Sequence, residues 1–169
     1  MPAGRDERAR VRGAQRGSAS DLEALFRMHW SRAHRAAYLV THDAHAAEDI
    51  AQESFLAAIR SLDRFDRRRP FGPWLHRIVV NRAIDWSRAR RLRSEVELTE
   101  SLPAAEQAEP PGDEVLTALA RLAPEHRAVV VMRYLLEFTP GEIADALDLP
   151  RGTVNSRLRR GLDTLGEEL

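Results

Sequence analysis

The sequence predicts an all-α fold of two small helical domains joined by a flexible acidic linker. Three observations predict it. Apolar residues recur at three- and four-residue spacing over most of the chain, and no stretch keeps the alternation a strand requires. Capping signals, namely Ser20 with Glu23, Asp43, and Thr139 with Glu142, stand just before those periodic stretches. Residues 94–112 lack periodicity, carry Pro103, Pro110, Pro111 and Gly112, and separate the two periodic halves.

In chain order, residues 1–17 are rich in Arg, Gly and Ala without an apolar repeat, and are expected to form a disordered tail. The first domain spans 18–93. Its first helix, opened by the Ser20–Glu23 box, carries Leu22, Leu25, Phe26, His29, Ala33, Ala36, Ala37 and Val40 and runs to about Leu39. Asp43 caps a second helix from about Ala44 to Leu62, with Ile50, Phe55 and Ile59 on its apolar side. Residues 63–73 form a loop holding Arg67, Arg68 and Arg69. A third helix from about Trp74 to Arg90 buries Leu75, Ile78, Val79 and Trp86. The second domain, 113–169, starts with Val115, Leu116, Leu119 and Leu122 and continues through Ala128–Leu136.

The chain of 169 residues has a net charge of +0, which on its own argues against a nucleic-acid partner. The distribution of charge argues the other way. All 26 basic residues are arginine; from Arg64 to Arg93 there are ten of them against two acids. From Ser94 to Glu114 there are seven acids and no base. An arginine-only composition also suits a GC-rich genome, so placement carries the argument rather than number. With no cysteine there is no disulfide, thiolate metal site or thiol switch. No apolar run reaches bilayer-spanning length, and the N-terminal arginines precede no apolar signal core. A cytoplasmic protein without membrane insertion is expected.

The segment from Thr139 to Arg160 is the most specific. Thr139 and Glu142 form a capping box, and Pro140 occupies the first helical position, where its missing N–H costs nothing. Ile143, Ala144 and Leu147 make a buried stripe, and Asp148-Leu149-Pro150 stops the helix. A second helix follows from Arg151, with Val154, Leu158, Leu162 and Leu165 on one side. Gly152, Asn155, Ser156, Arg159 and Arg160 lie on the opposite arc, and Arg157 on its flank. This is a helix-turn-helix, whose second helix enters the DNA major groove. Arginine pairs with guanine, asparagine with adenine, and serine with either.

Two blocks resemble one family. Ala47 to Leu56, then Phe65-Asp66 and Pro70 to Asp85, resemble region two of the sigma-70 family. Leu122 to Arg127, through Gly152 to Leu158, resemble region four. Possession of these two regions alone is similar to the extracytoplasmic-function (ECF) group of sigma factors. The resemblance covers about residues 20–93 and 113–165. It implies a bacterial transcription initiation factor, not an enzyme, that binds core RNA polymerase and promoter DNA. It implies contact between Glu48, Asp49, Gln52 and Glu53 and the clamp of the largest polymerase subunit, and between region four and the flap of the second-largest. It implies that region two melts and reads the −10 element through Phe65, Arg67, Arg68, Arg69, Trp74, Arg77, Asn81, Arg82 and Arg88. Region four would read the −35 element, with Asn155, Ser156, Arg159 and Arg160 on bases and Arg151, Thr153 and Arg157 nearer phosphates, beside Gly152. An anti-sigma factor is the further partner it implies, with nucleoid association when the chain is part of holoenzyme.

Several readings stay open at the level of sequence. Trp74 suits a stacking ring or a core ring. Arg82 falls on the apolar stripe, where it either snorkels at an edge or points to a phosphate. The acidic linker suits a nucleic-acid mimic or a plain spacer. Gly72-Pro73 before Trp74 departs from the family pattern and is expected to stiffen the loop. A stand-alone helix-turn-helix regulator would account for the second half and leave the first 93 residues without a role. A metal enzyme would draw on His29, His34, His42, Asp43, His45, Glu48 and Asp49. No two histidines sit four apart as in a zinc-binding helix, so no metal, cofactor or catalysis is expected.

Overall fold

The computed structural model describes residues 3–99 and 114–168. Among them are eight α-helices and one 3-10 turn, and no strand. The first half contains α1 (Ala3–Gln15), α2 (Ala19–Thr41), α3 (Ala44–Ser61), the turn Leu62–Arg64 and α4 (Phe71–Thr99). The second contains α5 (Glu114–Arg121), α6 (Pro124–Tyr134), α7 (Pro140–Leu147) and α8 (Arg151–Glu168).

The first segment corrects the sequence reading. It is a helix, not a disordered tail. Val11 and Ala14 are buried against the bundle, and Arg10 pairs with Asp21 of α2 at 3.0 Å. Tertiary burial thus supplies what local composition lacks. Gly17, at φ 88, then turns the chain into α2. The cap of α2 is Ser18 rather than Ser20: its hydroxyl accepts from the Asp21 amide at 3.3 Å. At the other end the helix runs past Leu39 to Thr41 and closes on His42 in the left-handed region.

Helix α3 begins as expected, the Asp43 carboxylate accepting from the Ala46 amide at 2.9 Å. That bond, with Arg90 at 2.7 Å, holds the Asp43 carboxyl below the usual range although burial opposes it. Helix α4 starts three residues before Trp74, because Pro73 fits the first turn of a helix. Gly72 also has a packing reason. A Cβ there would stand 2.9 Å from Cε1 of His29, so glycine lets the start of α4 lie against α2. At its C-terminal end α4 continues to Thr99, so residues 94–99 are helical rather than extended linker. The rest of the expected linker lies outside the described residues.

Leu25, Val40, Leu75, Val79 and Val80 form the fully buried centre of the first half; Met132, Val129, Ile143 and Val154 do so in the second. Each such side chain contributes roughly 1.5–3 kcal/mol over its exposed state. The halves touch. Helix α6 packs on both α2 and α4, and buried Arg127 on α6 donates to the carbonyls of Val40 (2.8 Å), Ala120 and Leu122. Burial pushes the Arg127 guanidinium down to about 10.

Candidate nucleic-acid interface

The helix-turn-helix forms as its local chemistry requires. Thr139 Oγ1 accepts from the Glu142 amide (3.3 Å), and Glu142 Oε2 accepts from the Thr139 amide (2.7 Å). The Thr139 amide, and then its hydroxyl at 2.8 Å, both donate to the Glu142 carboxylate and hold it below its ordinary value. Asp148 adopts the left-handed region at φ 52, ending α7 and turning the chain toward α8. On α8, Val154 and Leu158 are buried, while Arg151, Gly152, Asn155, Arg159 and Arg160 are exposed along one arc. Thr153, Ser156 and Arg157 are half-buried at its edge. The Ser156 hydroxyl donates to the Thr153 carbonyl (3.0 Å), so it is turned onto its own helix. Arg157 lies near Glu125, whose carboxyl burial would raise but Arg88 holds low.

The loop residues of the first half gather around a cavity of about 400 Å³ lined by Ser61, Arg64, Phe65, Asp66, Arg69 and Trp74. Phe65 is buried, its ring 4.5 Å from that of Trp74 and 5.9 Å from that of Phe71. Phe65 is therefore a wall of the cavity rather than a free ring. Trp74 packs on the core, the core-ring alternative, and one part of it also borders the cavity. Asp66 shapes the loop by accepting from the Arg68 amide (3.0 Å) and the Arg68 guanidinium (3.0 and 3.2 Å). Arg67, Arg68 and Arg69 are all exposed.

Along α4, Arg77 is exposed and Asn81 half-buried. The Asn81 amide donates to Arg77 O (3.0 Å) and, across the halves, to Ala146 O (3.1 Å). Arg88 binds Glu125 at 2.9 Å. In this arrangement two of the expected DNA contacts are engaged by the second half. Arg82 sits at the bundle edge and pairs with Glu53 of α3 at 3.1 Å, the edge alternative for that residue.

Glu48, Asp49, Gln52 and Glu53 share one exposed face of α3, with Gln52 donating to Glu48 at 3.3 Å. The neighbouring Leu56 and Ile59 are about half exposed, as is Phe26 of α2. Sequence reasoning put Ile59 on the buried side and passed over Leu56; exposed apolar side chains beside an acidic face suit protein contact.

The model for sigma-70 region 2 matches residues 25–93, and that for sigma-70 region 4 matches residues 112–165. The ECF RNA polymerase sigma factor SigL of Mycobacterium tuberculosis is 36% identical over 167 residues, covering 93% of each chain. SigW of Bacillus subtilis, named likewise, is 30% identical over 177 residues, covering 95% of each.

The chain belongs to the ECF group of the sigma-70 family.

It is thus an RNA polymerase sigma factor that directs promoter-specific transcription, and not an enzyme. Both halves of this sigma factor have a family match, which removes the stand-alone regulator with its unexplained first half. Among solved structures, CnrH in complex with the cytosolic domain of CnrY superposes with a TM-score of 0.70 at 26% identity, over 96% of each chain. RpoE of Bartonella quintana with the anti-sigma factor NepR superposes at 0.69 and 20% identity, over 89% of this sigma factor, a likeness of fold. Among the described residues no helix is long and apolar enough to cross a membrane, and no group of His and acidic residues could hold a metal.

Proposed function

We propose that the two halves read the two promoter elements separately. Region two binds the melted −10 strand, and region four binds the −35 duplex. The observation that carries this is the pairing of an exposed polar arc on α8 with an arginine-rimmed aromatic cavity beside α4. On α8, Asn155, Arg159 and Arg160 would face base edges, with Ser156 swinging off its helix to join them. Gly152 allows close approach, and Arg151, Thr153 and Arg157 serve phosphates. In region two the Phe65–Trp74 cavity takes a base turned out of the stack, while Arg67, Arg68, Arg69 and Arg77 hold the strand's phosphates. Asn81 and Arg88 join them once their bonds to Ala146 and Glu125 open. Arg82 acts at the edge through Glu53.

Glu48, Asp49, Gln52 and Glu53 dock on the clamp of the largest polymerase subunit, with Leu56 supplying apolar contact. Region four docks on the flap of the second-largest. An anti-sigma factor is the natural antagonist. The apolar groove of about 270 Å³ lined by Leu39, Val115, Leu119, Val130, Tyr134 and Leu162 is a site for one of its helices. CnrH, at 26% identity, is seen in complex with the cytosolic domain of CnrY, which supports a protein partner for this fold. The protein works in the cytoplasm, on the nucleoid when in holoenzyme.

Footprinting of holoenzyme on promoters found by run-off transcription tests this reading. Arg159→Ala should weaken protection at −35 alone, and Trp74→Ala should weaken strand opening at −10 alone. Loss of both signals in either variant would refute the division of labour.

A further inference from the structure

Helix α1 grips both ends of the loop that borders the aromatic cavity. The Gln15 side-chain amide donates to the carbonyls of Leu62 (2.9 Å) and Phe65 (3.1 Å), where the chain leaves the 3-10 turn. Two helical turns earlier, Glu7 Oε2 accepts from the amide of Phe71, the first residue of α4 (3.3 Å). Glu7 Oε1 stands 2.8 Å from Nε2 of His29. The imidazole holds the Glu7 carboxyl below the usual range, against partial burial, and the Phe71 and Gly72 amides help. Between these two side chains, Val11 and Ala14 are buried, so Glu7, Val11, Ala14 and Gln15 form one inward stripe. The Phe71 amide is one of the unpaired donors at a helix start, and α1 is what satisfies it.

We propose that Gln15 and Glu7 are positioning residues for −10 recognition: α1 fixes the two stems of the loop and thereby the width of the Phe65–Trp74 cavity. An ordinary packing helix would bury apolar side chains and leave the loop stems to water. Here two polar side chains on that helix reach three backbone groups flanking residues 66–70. The arginines of the loop remain exposed, Arg68 with its guanidinium also on Asp66. The proposal rests on the reading of the cavity as the base-binding site.

The test uses holoenzyme assembled with the full chain, on promoter fragments carrying each of the four bases at every −10 position. Permanganate reactivity reports strand opening. Gln15→Leu keeps volume and removes both donated bonds. Its preference for the best base at the captured position should fall about fivefold or more, the equivalent of one or two hydrogen bonds. Affinity for core polymerase and for −35 duplex should stay unchanged, and the melting midpoint should move by no more than about 4 °C. Glu7→Gln, which keeps an acceptor for the Phe71 amide, should retain most of the preference that Glu7→Leu loses. If Gln15→Leu does not fold, the two Glu7 variants decide alone. Unchanged base preference in Gln15→Leu and Glu7→Leu, with Trp74→Ala losing it, would overturn the role of α1 and leave the cavity reading intact. Unchanged preference in Trp74→Ala as well would overturn both.

Discussion

Lowering the pH from 7 to 5 should cost this protein about 2 kcal/mol of stability through His76 alone. His76 lies on α4 and is buried; its Nε2 has no hydrogen-bond partner among the described residues. Burial, reinforced by His29 and Arg32 and only weakly opposed by Glu7, lowers its pKa from 6.5 to about 4. The unfolded chain therefore takes up the proton first as pH falls. Stability from this group is complete above about pH 6.5 and declines as pH drops toward 4. The loss reaches about 2 kcal/mol at pH 5 and about 3 kcal/mol at pH 4. Carboxylates held low in the folded state, such as Glu7 and Asp43, lose their contribution mainly below about pH 4.5. Urea unfolding followed by circular dichroism at pH 7, 6 and 5 isolates the histidine. His76→Leu should remove about 2 kcal/mol of the pH 7-to-5 decline seen in the wild type. Parallel curves for the two proteins would refute the assignment and mean that His76 is solvated or paired.

Three further outcomes follow from named contacts. Thr139→Ala removes one arm of the capping box and should lower stability by about 0.5–2 kcal/mol, read as a shift in urea midpoint at constant slope. Asn155→Ala should relax sequence preference at one position of the −35 duplex by about 1–3 kcal/mol, measured by competition binding of holoenzyme to altered sites. A Cβ on Gly161 would stand 2.9 Å from Cγ2 of Val130. Gly161→Leu should therefore force α8 from α6, costing about 1–3 kcal/mol and weakening −35 protection, while core binding through region two persists.

The parts of the fold legible in sequence are those fixed by neighbours along the chain. The Thr139–Glu142 box, the Asp43 cap and the Val154–Leu158 stripe each need only residues three or four apart. Helix α1 was not legible for the opposite reason. Its apolar side holds only Val11 and Ala14, too few for a visible repeat, and its stability comes from α2 and from the loop beyond α3. Ser18 and Ser20 are equivalent as letters; the left-handed Gly17 decides which one is extended enough to cap. Gly72-Pro73, expected from sequence to stiffen the loop, lies inside α4 instead, where glycine answers the ring of His29 across the bundle. The same holds in the candidate site. The polar arc of α8 follows from helical spacing, whereas the pairing of Arg82 with Glu53 and of Asn81 with Ala146 joins residues far apart in sequence.

If this chain directs polymerase to promoters through two separate reading surfaces, each surface should select its own promoter element. Run-off transcription from a genomic fragment library, using core polymerase of the source organism with and without the purified chain, tests it most directly. New start sites should appear that share a −35 and a −10 element, the first lost with Arg159→Ala and the second with Trp74→Ala. Folded protein that co-elutes with core polymerase yet yields no new start site, or start sites sharing a single element, would contradict it.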